Sequence, residues 1–343
     1  MRKKKEVTLQ TIADELQLTI HTVSKALRGL PGMSESTRRD IFEAARRLGY
    51  KTKEQELSVG YEKLPLLSTK RRRFTMIMTQ DAPFYQIQFQ GIQERLQEWG
   101  HTVSATFLPN AASAQADASY WMESMDLHYY DGLFIPPAIP ERLEHAFLQL
   151  PMPKVLINYP PAIATVDSVI WDVVAAIHQS VNHFLSMGHN RILYMGDIHK
   201  HRGFQLRWQA FQEAMHRLGA EAVPEDHITD RSASGDSWMS TLKEKLQRGR
   251  YTAILCAVQQ DLPGIIYALQ SVNLSIPEDI SLISLEDMEN RRFPQLSRPL
   301  LLMKEAGRRA AERLLWRIAN PDEPFEHIRL QGSFYKGGTV RKI

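Results

Sequence analysis

Between Val7 and Tyr50 the chain reads VTLQTIADELQLTIHTVSKALRGLPGMSESTRRDIFEAARRLGY, a stretch that admits few folds. Apolar residues recur at helical spacing three times: Leu9, Ile12, Ala13 and Leu16, then Val23, Ala26 and Leu27, then Ile41, Ala44, Ala45 and Leu48. A capping residue stands ahead of each run: Thr8, then Thr19, then Ser34 or Ser36. Gly29, Pro31 and Gly32 break the chain before the third run, and Gly49 closes it. A segment this short builds only a small core, so a compact three-helix unit is expected. Two helices joined by a short turn, the second with polar side chains free at its start, form the helix-turn-helix arrangement. Its second helix enters the major groove of DNA. On the pattern alone, a helical module that binds protein stays open beside it.

Charge separates the head from the rest. Residues 1–53 hold twelve Lys/Arg against six acids, a net +6, whereas the whole chain is only +3, leaving −3 elsewhere. A basic head on a mildly acidic body suits attraction to phosphates. The single cysteine, Cys256, lies in the apolar run AILCAV and is expected to fill a buried strand. No apolar run reaches membrane-span length and MRKKK is followed by no signal-peptide core, so a cytoplasmic protein is expected.

After a linker the pattern changes. Strand-like runs at 74–79, 102–108, 132–136, 154–158, 168–171, 191–196, 253–258 and 280–286 alternate with amphipathic runs such as Gln88 to Trp99, Val173 to Met187, Leu206 to Leu218, Ser237 to Gln247 and Leu262 to Val272. Such alternation predicts parallel sheets covered by helices, with ligands at the carboxyl ends of the strands. About 270 residues exceed one comfortable core, so two lobes with a cleft are expected. The organisation expected is therefore α + α/β: a three-helix head at 1–52, a linker at 53–73 and a two-lobed body at 74–343. No phosphate-cradling glycine loop, metal-spaced His/Cys cluster or paired nucleophile and base is present, so neither enzymatic activity nor a cofactor or metal is expected.

VTLQTIADELQLTIHTVSKALRG and SESTRRDIFEAARRLGY resemble the N-terminal signature of the LacI/GalR family of bacterial transcription regulators, through Val7, Thr8, Leu9, Ile12, Ala13, Leu16, Leu18, Thr22, Val23, Ser24, Lys25, Ala26, Leu27 and Arg28. Thr11 and Thr19 stand where Asp and Ser are usual. The resemblance continues more loosely to the C-terminus, through His183, Gly188, His189, Ile192 and Gly196, through RWQAF at 207–211, IPEDISLISLED, and Thr339. It implies a periplasmic-binding-protein-like effector domain and a dimer, with tetramers also known in the family, reading a pseudo-palindromic operator. Repression under a sugar-like effector is the inherited expectation.

Carried onto this sequence, Ile20 and His21 would be the principal base readers, with Lys25 also reaching bases. Thr8, Thr19, Ser24 and the Arg38–Arg39 pair would contact phosphates, and Arg28 is counted among the DNA-binding residues. For Thr22 and Ser24 a purely local role in satisfying the backbone stays open. Leu57 is the candidate for the leucine that family hinge helices wedge into the minor groove, but KTKEQEL lacks the usual Ala-Arg-x-Leu. In the cleft the implied effector contacts are Phe84, Tyr85, Trp171, Asp172, His201, Arg207, Gln259 and Glu286. Val258 and Gln259 replace the family's usual Asn and Asp. That departure motivates a second reading, in which the body answers to a protein partner and the cleft is vestigial.

Overall fold

The computed structural model describes residues 7–28, 30, 32–48, 50, 71–78, 83–108, 118–137, 139–230, 237–285 and 295–343. The three predicted head helices form: α1 (Leu9–Leu16), α2 (Ile20–Leu27) and α3 (Glu35–Leu48). Their stripes meet in one core of Ile12, Ala13, Val23, Ala26, Ile41, Ala44 and Ala45. Thr8 caps α1, accepting from the Thr11 amide, while Thr11 Oγ1 accepts from the Thr8 amide at 3.2 Å. Between α1 and α2 the chain reverses at Gln17, whose φ of 53° places a non-glycine residue in the left-handed region. The Leu18 amide then donates to Ala13 O at 2.9 Å, satisfying one of the free carbonyls at the end of α1.

The body is built on two parallel sheets. In chain order its elements are β1 (Arg73–Met78), α4 (Pro83–Glu98), β2 (Thr102–Phe107), α5 (Ala118–Ser124), β3 (Gly132–Ile135), α6 (Glu141–Leu148), β4 (Lys154–Leu156), β5 (Asp167–Trp171) and α7 (Val173–Ser186). There follow β6 (Ile192–Met195), α8 (Arg202–His216), α9 (Ser237–Gln247), β7 (Ala253–Cys256), α10 (Leu262–Ser271), β8 (Ser281–Ser284), β9 (Arg298–Pro299), α11 (Met303–Ala319), β10 (His327–Leu330) and β11 (Phe334–Tyr335). The first sheet runs β10-β5-β4-β3-β1-β2 and the second β6-β7-β8, both parallel. Strands β1, β3, β5, β6, β7 and β8 are almost wholly buried, as sheets covered on both faces require. Cys256 is among these buried residues.

Three crossings join the lobes. Strand β5 lies in the first sheet, but α7, which follows it, packs on α8 and β7 of the second lobe. The chain returns through β9 to α11, which packs on α4, and leaves again from β10 into β11. The crossings are tied to one another. The Asp172 amide donates to Leu330 O at 2.8 Å, the Leu300 amide to Ser333 O at 2.8 Å, and β9 pairs with β11 antiparallel. At Gly332 a Cβ would fall inside contact distance of the Leu300 carbonyl oxygen, so only glycine lets these two crossings lie so close.

Helices α4 and α11 meet just as closely. A Cβ at Gly91 would overlap the Lys304 carbonyl, and one at Gly307 would overlap that of Gln88. Ion pairs line this seam: Arg95 with Glu312, Arg308 with Glu94 and Glu98, and Lys304 with Glu94 at 2.8 Å. Behind it Asp167, fully buried, accepts from Arg313 Nε at 2.8 Å, Arg317 Nε at 2.6 Å and the Glu326 amide at 2.9 Å. One carboxylate thereby pins the start of β5, the end of α11 and the approach to β10.

Candidate DNA interface and effector cleft

Helix α2 begins at Thr19, whose hydroxyl accepts from the Thr22 amide at 3.1 Å and shares a hydrogen bond with the Thr22 hydroxyl at 2.8 Å. Thr22 is thus engaged locally. Just beyond the cap, Ile20 is 44% exposed and His21 is exposed, so the first turn of α2 presents an apolar and a polar group side by side. Lys25, one turn on, is half-buried, its ammonium lying over Gly32. Arg28 turns back on its own helix, donating from Nε to Ser24 O at 3.3 Å. Arg38 donates to Leu30 O at 2.8 Å and Arg47 pairs with Glu15, whereas Arg39 is exposed. Leu57 lies outside the described residues.

In the body, several of the expected effector residues gather where the two sheets' carboxyl ends meet the first crossing. Trp171 ends β5 and is buried; Asp172, next to it, caps α7, accepting from the Val174 and Ala175 amides at 3.0 Å each. Tyr159, beyond β4, binds this corner together: its hydroxyl donates to Trp171 O at 3.1 Å and accepts from the Val173 amide at 2.9 Å. Burial pushes its phenol up to about 12.

From the second lobe, α8 brings Arg207, which is 9% exposed. It donates from Nη1 to Ala257 O at 2.5 Å, and its guanidinium stacks 4.9 Å from the Phe204 ring centroid. Its Nε is buried and has no partner. Beneath it Tyr194, wedged between Trp208 and Phe211, points along β6 towards Gly196 with its hydroxyl buried and unpartnered. Trp171 Nε1 is buried and unpartnered as well. Desolvation draws the Arg207 pKa below the usual arginine range, against the opposing influence of Tyr194 and Tyr159.

The remaining candidates sit less centrally. His201 flanks the start of α8 with its ring 5.3 Å from that of Phe204, and burial followed by the neighbouring Lys200 lowers its pKa. Phe84 is half-buried on the first turn of α4 and stacks on Tyr85 with centroids 4.1 Å apart. Tyr85 is buried and donates to Pro137 O at 2.7 Å. Gln259 opens a short 3-10 turn, Gln259–Asp261, after β7. Glu286 lies outside the described residues.

Residues 181–340 match the family described as a periplasmic binding protein-like domain. The catabolite control protein A of Priestia megaterium is 23% identical over 300 residues, 86% of each chain. The ribose operon repressor of Haemophilus influenzae is 23% identical over 328 residues, 94% of this chain and 96% of that one. Among solved structures, the lac repressor dimer bound to operator and the anti-inducer ONPF superposes with a TM-score of 0.66 at 18% identity, covering 98% of this chain and 100% of the other. Over most of its length the chain is similar to transcription regulators of the LacI/GalR kind. The relatives of this chain are transcriptional repressors of the LacI family, not enzymes.

Three contributors to this cleft escaped the sequence reading: Tyr159, Glu144 and Arg202. Arg202, at the start of α8, donates from Nη2 to both Glu144 oxygens, at 2.5 and 2.7 Å, and from Nε to Tyr159 O at 2.9 Å. It therefore ties the second lobe to α6 and β4 of the first. Tyr159 carried one signal, its place just past the predicted strand 154–158; Glu144 and Arg202 carried none. No helix among the described residues is long and apolar enough to cross a membrane.

Proposed function

We propose that this regulator binds a pseudo-palindromic operator as a homodimer in the cytoplasm, and that a small molecule held between its two lobes sets its DNA affinity. Ile20, His21 and Lys25 read bases, while Thr8, Thr19, Ser24 and Arg39 position the head on phosphates. The observation that carries the effector half is Arg207: a buried guanidinium with an unpartnered Nε facing the crossing between lobes is costly unless something binds it. Around it Trp171, Tyr194 and Phe204 supply the apolar and aromatic lining that small-molecule sites use. A ligand touching both lobes changes their closure, and with it the placing of the heads.

The test pairs Arg207→Ala with the wild type in a gel-shift titration on the promoter of the chain's own gene. Effector response should vanish while operator affinity stays. An unchanged response removes Arg207 from the effector site. Failure of any small molecule to alter wild-type binding points instead to control by a protein partner.

A further inference from the structure

At the opposite end of the first lobe from the cleft lies a second hollow with a cation of its own. Strands β1, β3, β4 and β5 are parallel, so their amino ends lie together where the linker enters the body. There the starts of β4 and β5 and the last turn of α11 bound a cavity of about 290 Å³. Its wall is mainly apolar, through Pro153, Val166, Ile318, Pro321 and Phe325, and Phe325 is 48% exposed. Two cations line it, Lys154 and Arg317. Every nitrogen of Arg317 is taken: Nε and Nη2 by Asp167, Nη2 also by Pro324 O, and Nη1 by the carbonyls of Asn320, Pro321 and Glu323. Lys154 is half-buried and makes no ion pair or hydrogen bond among the described residues. Burial alone lowers its pKa, with no acid opposing it.

We infer that this hollow is a second small-molecule site, independent of the cleft, which takes a carboxylate on a small apolar body. The carboxylate lies against the Lys154 ammonium, with the exposed Thr165 hydroxyl as a further donor, and the body packs on Ile318 and Phe325. An ammonium drawn partly out of water recovers in such a pair what its burial costs. The apolar wall favours a body that sheds water, and the one cation left unpaired in it selects a single negative charge. A neutral analogue of the same shape keeps the packing and forfeits the charge-assisted bond. Strand β4 stands two places from β1 in the sheet, so the ligand sits about 10 Å from the point where the head's linker joins the body.

Isothermal titration of the full chain with benzoate and hexanoate, each against its neutral amide, tests this. At least one acid should bind about 10-fold tighter than its amide, and Lys154→Met should remove that margin. Phe325→Ala should weaken acid and amide alike, with circular dichroism confirming the fold of each variant. Acid binding that survives Lys154→Met, or that Arg207→Ala in the cleft abolishes, overturns the second site. So does an amide that binds as tightly as its acid, or a failure of both acids to bind. Should Lys154→Met not fold, Phe325→Ala decides, and acid binding that it leaves unchanged rejects the site.

Discussion

His21 and Lys25 lie one turn apart on α2, yet the structure gives them different freedom. His21 projects from the first turn, while the Lys25 stem packs half-buried with its tip over Gly32. His21→Ala should therefore lower discrimination between operator and mutated operator by roughly 1–3 kcal/mol, measured by competition binding; equal loss on all sequences would make His21 a phosphate contact. A second histidine bears on stability. His227 is buried, and its Nδ1 accepts from the Tyr194 amide at 3.0 Å, which requires the neutral ring. Burial lowers its pKa to about 4. The unfolded chain, with an ordinary histidine near 6.5, then binds more protons below that pH. The contribution is full above about 6.5 and is lost as pH falls towards 4. Urea unfolding at pH 7 and pH 5 should differ by about 2 kcal/mol more in the wild type than in His227→Gln. The head's caps were plain in the sequence because a threonine before an apolar run has one local use. Tyr159 and Arg202 were not plain, because a residue's partners across 43 positions leave no mark on local pattern.

Among the elements, the α4–α11 seam sets the tolerance of the first lobe. Gly307→Ala drives a methyl into the Gln88 carbonyl, so the two helices must part; a loss of at least about 1–3 kcal/mol in chemical denaturation is expected. Asp167→Asn leaves Arg317 buried with no carboxylate partner among the described residues and Arg313 with only the exposed Glu326, and should cost about 3–5 kcal/mol by the same measurement. A change under 1 kcal/mol would mean that the carbonyls around Arg317 suffice. Strands β1 to β8 were legible because each is a short apolar run with turn residues at its ends. Helix α11 was not: its buried face consists largely of alanine and glycine with the stems of arginines, and Arg313 and Arg317 lie inside where a hydropathy pattern places them outside. Strands β9 and β11, two residues each, are too short to show a period.

For the whole molecule, Arg202 is the side chain that fastens one lobe to the other beside the cleft. Arg202→Ala should raise the radius of gyration of the ligand-free protein in small-angle scattering as the lobes part; an unchanged radius would show that the crossings alone hold their spacing. Those crossings have a further consequence for engineering. The head is joined to the body at one place in the chain, so a foreign reader can be grafted with a single cut. A lobe of the body cannot. Its polypeptide enters and leaves at three points that are bonded to one another, at Asp172, Leu300 and Gly332. A functional chimaera of ligand responses must therefore take all three segments from one parent, or inherit a glycine that no longer faces its carbonyl.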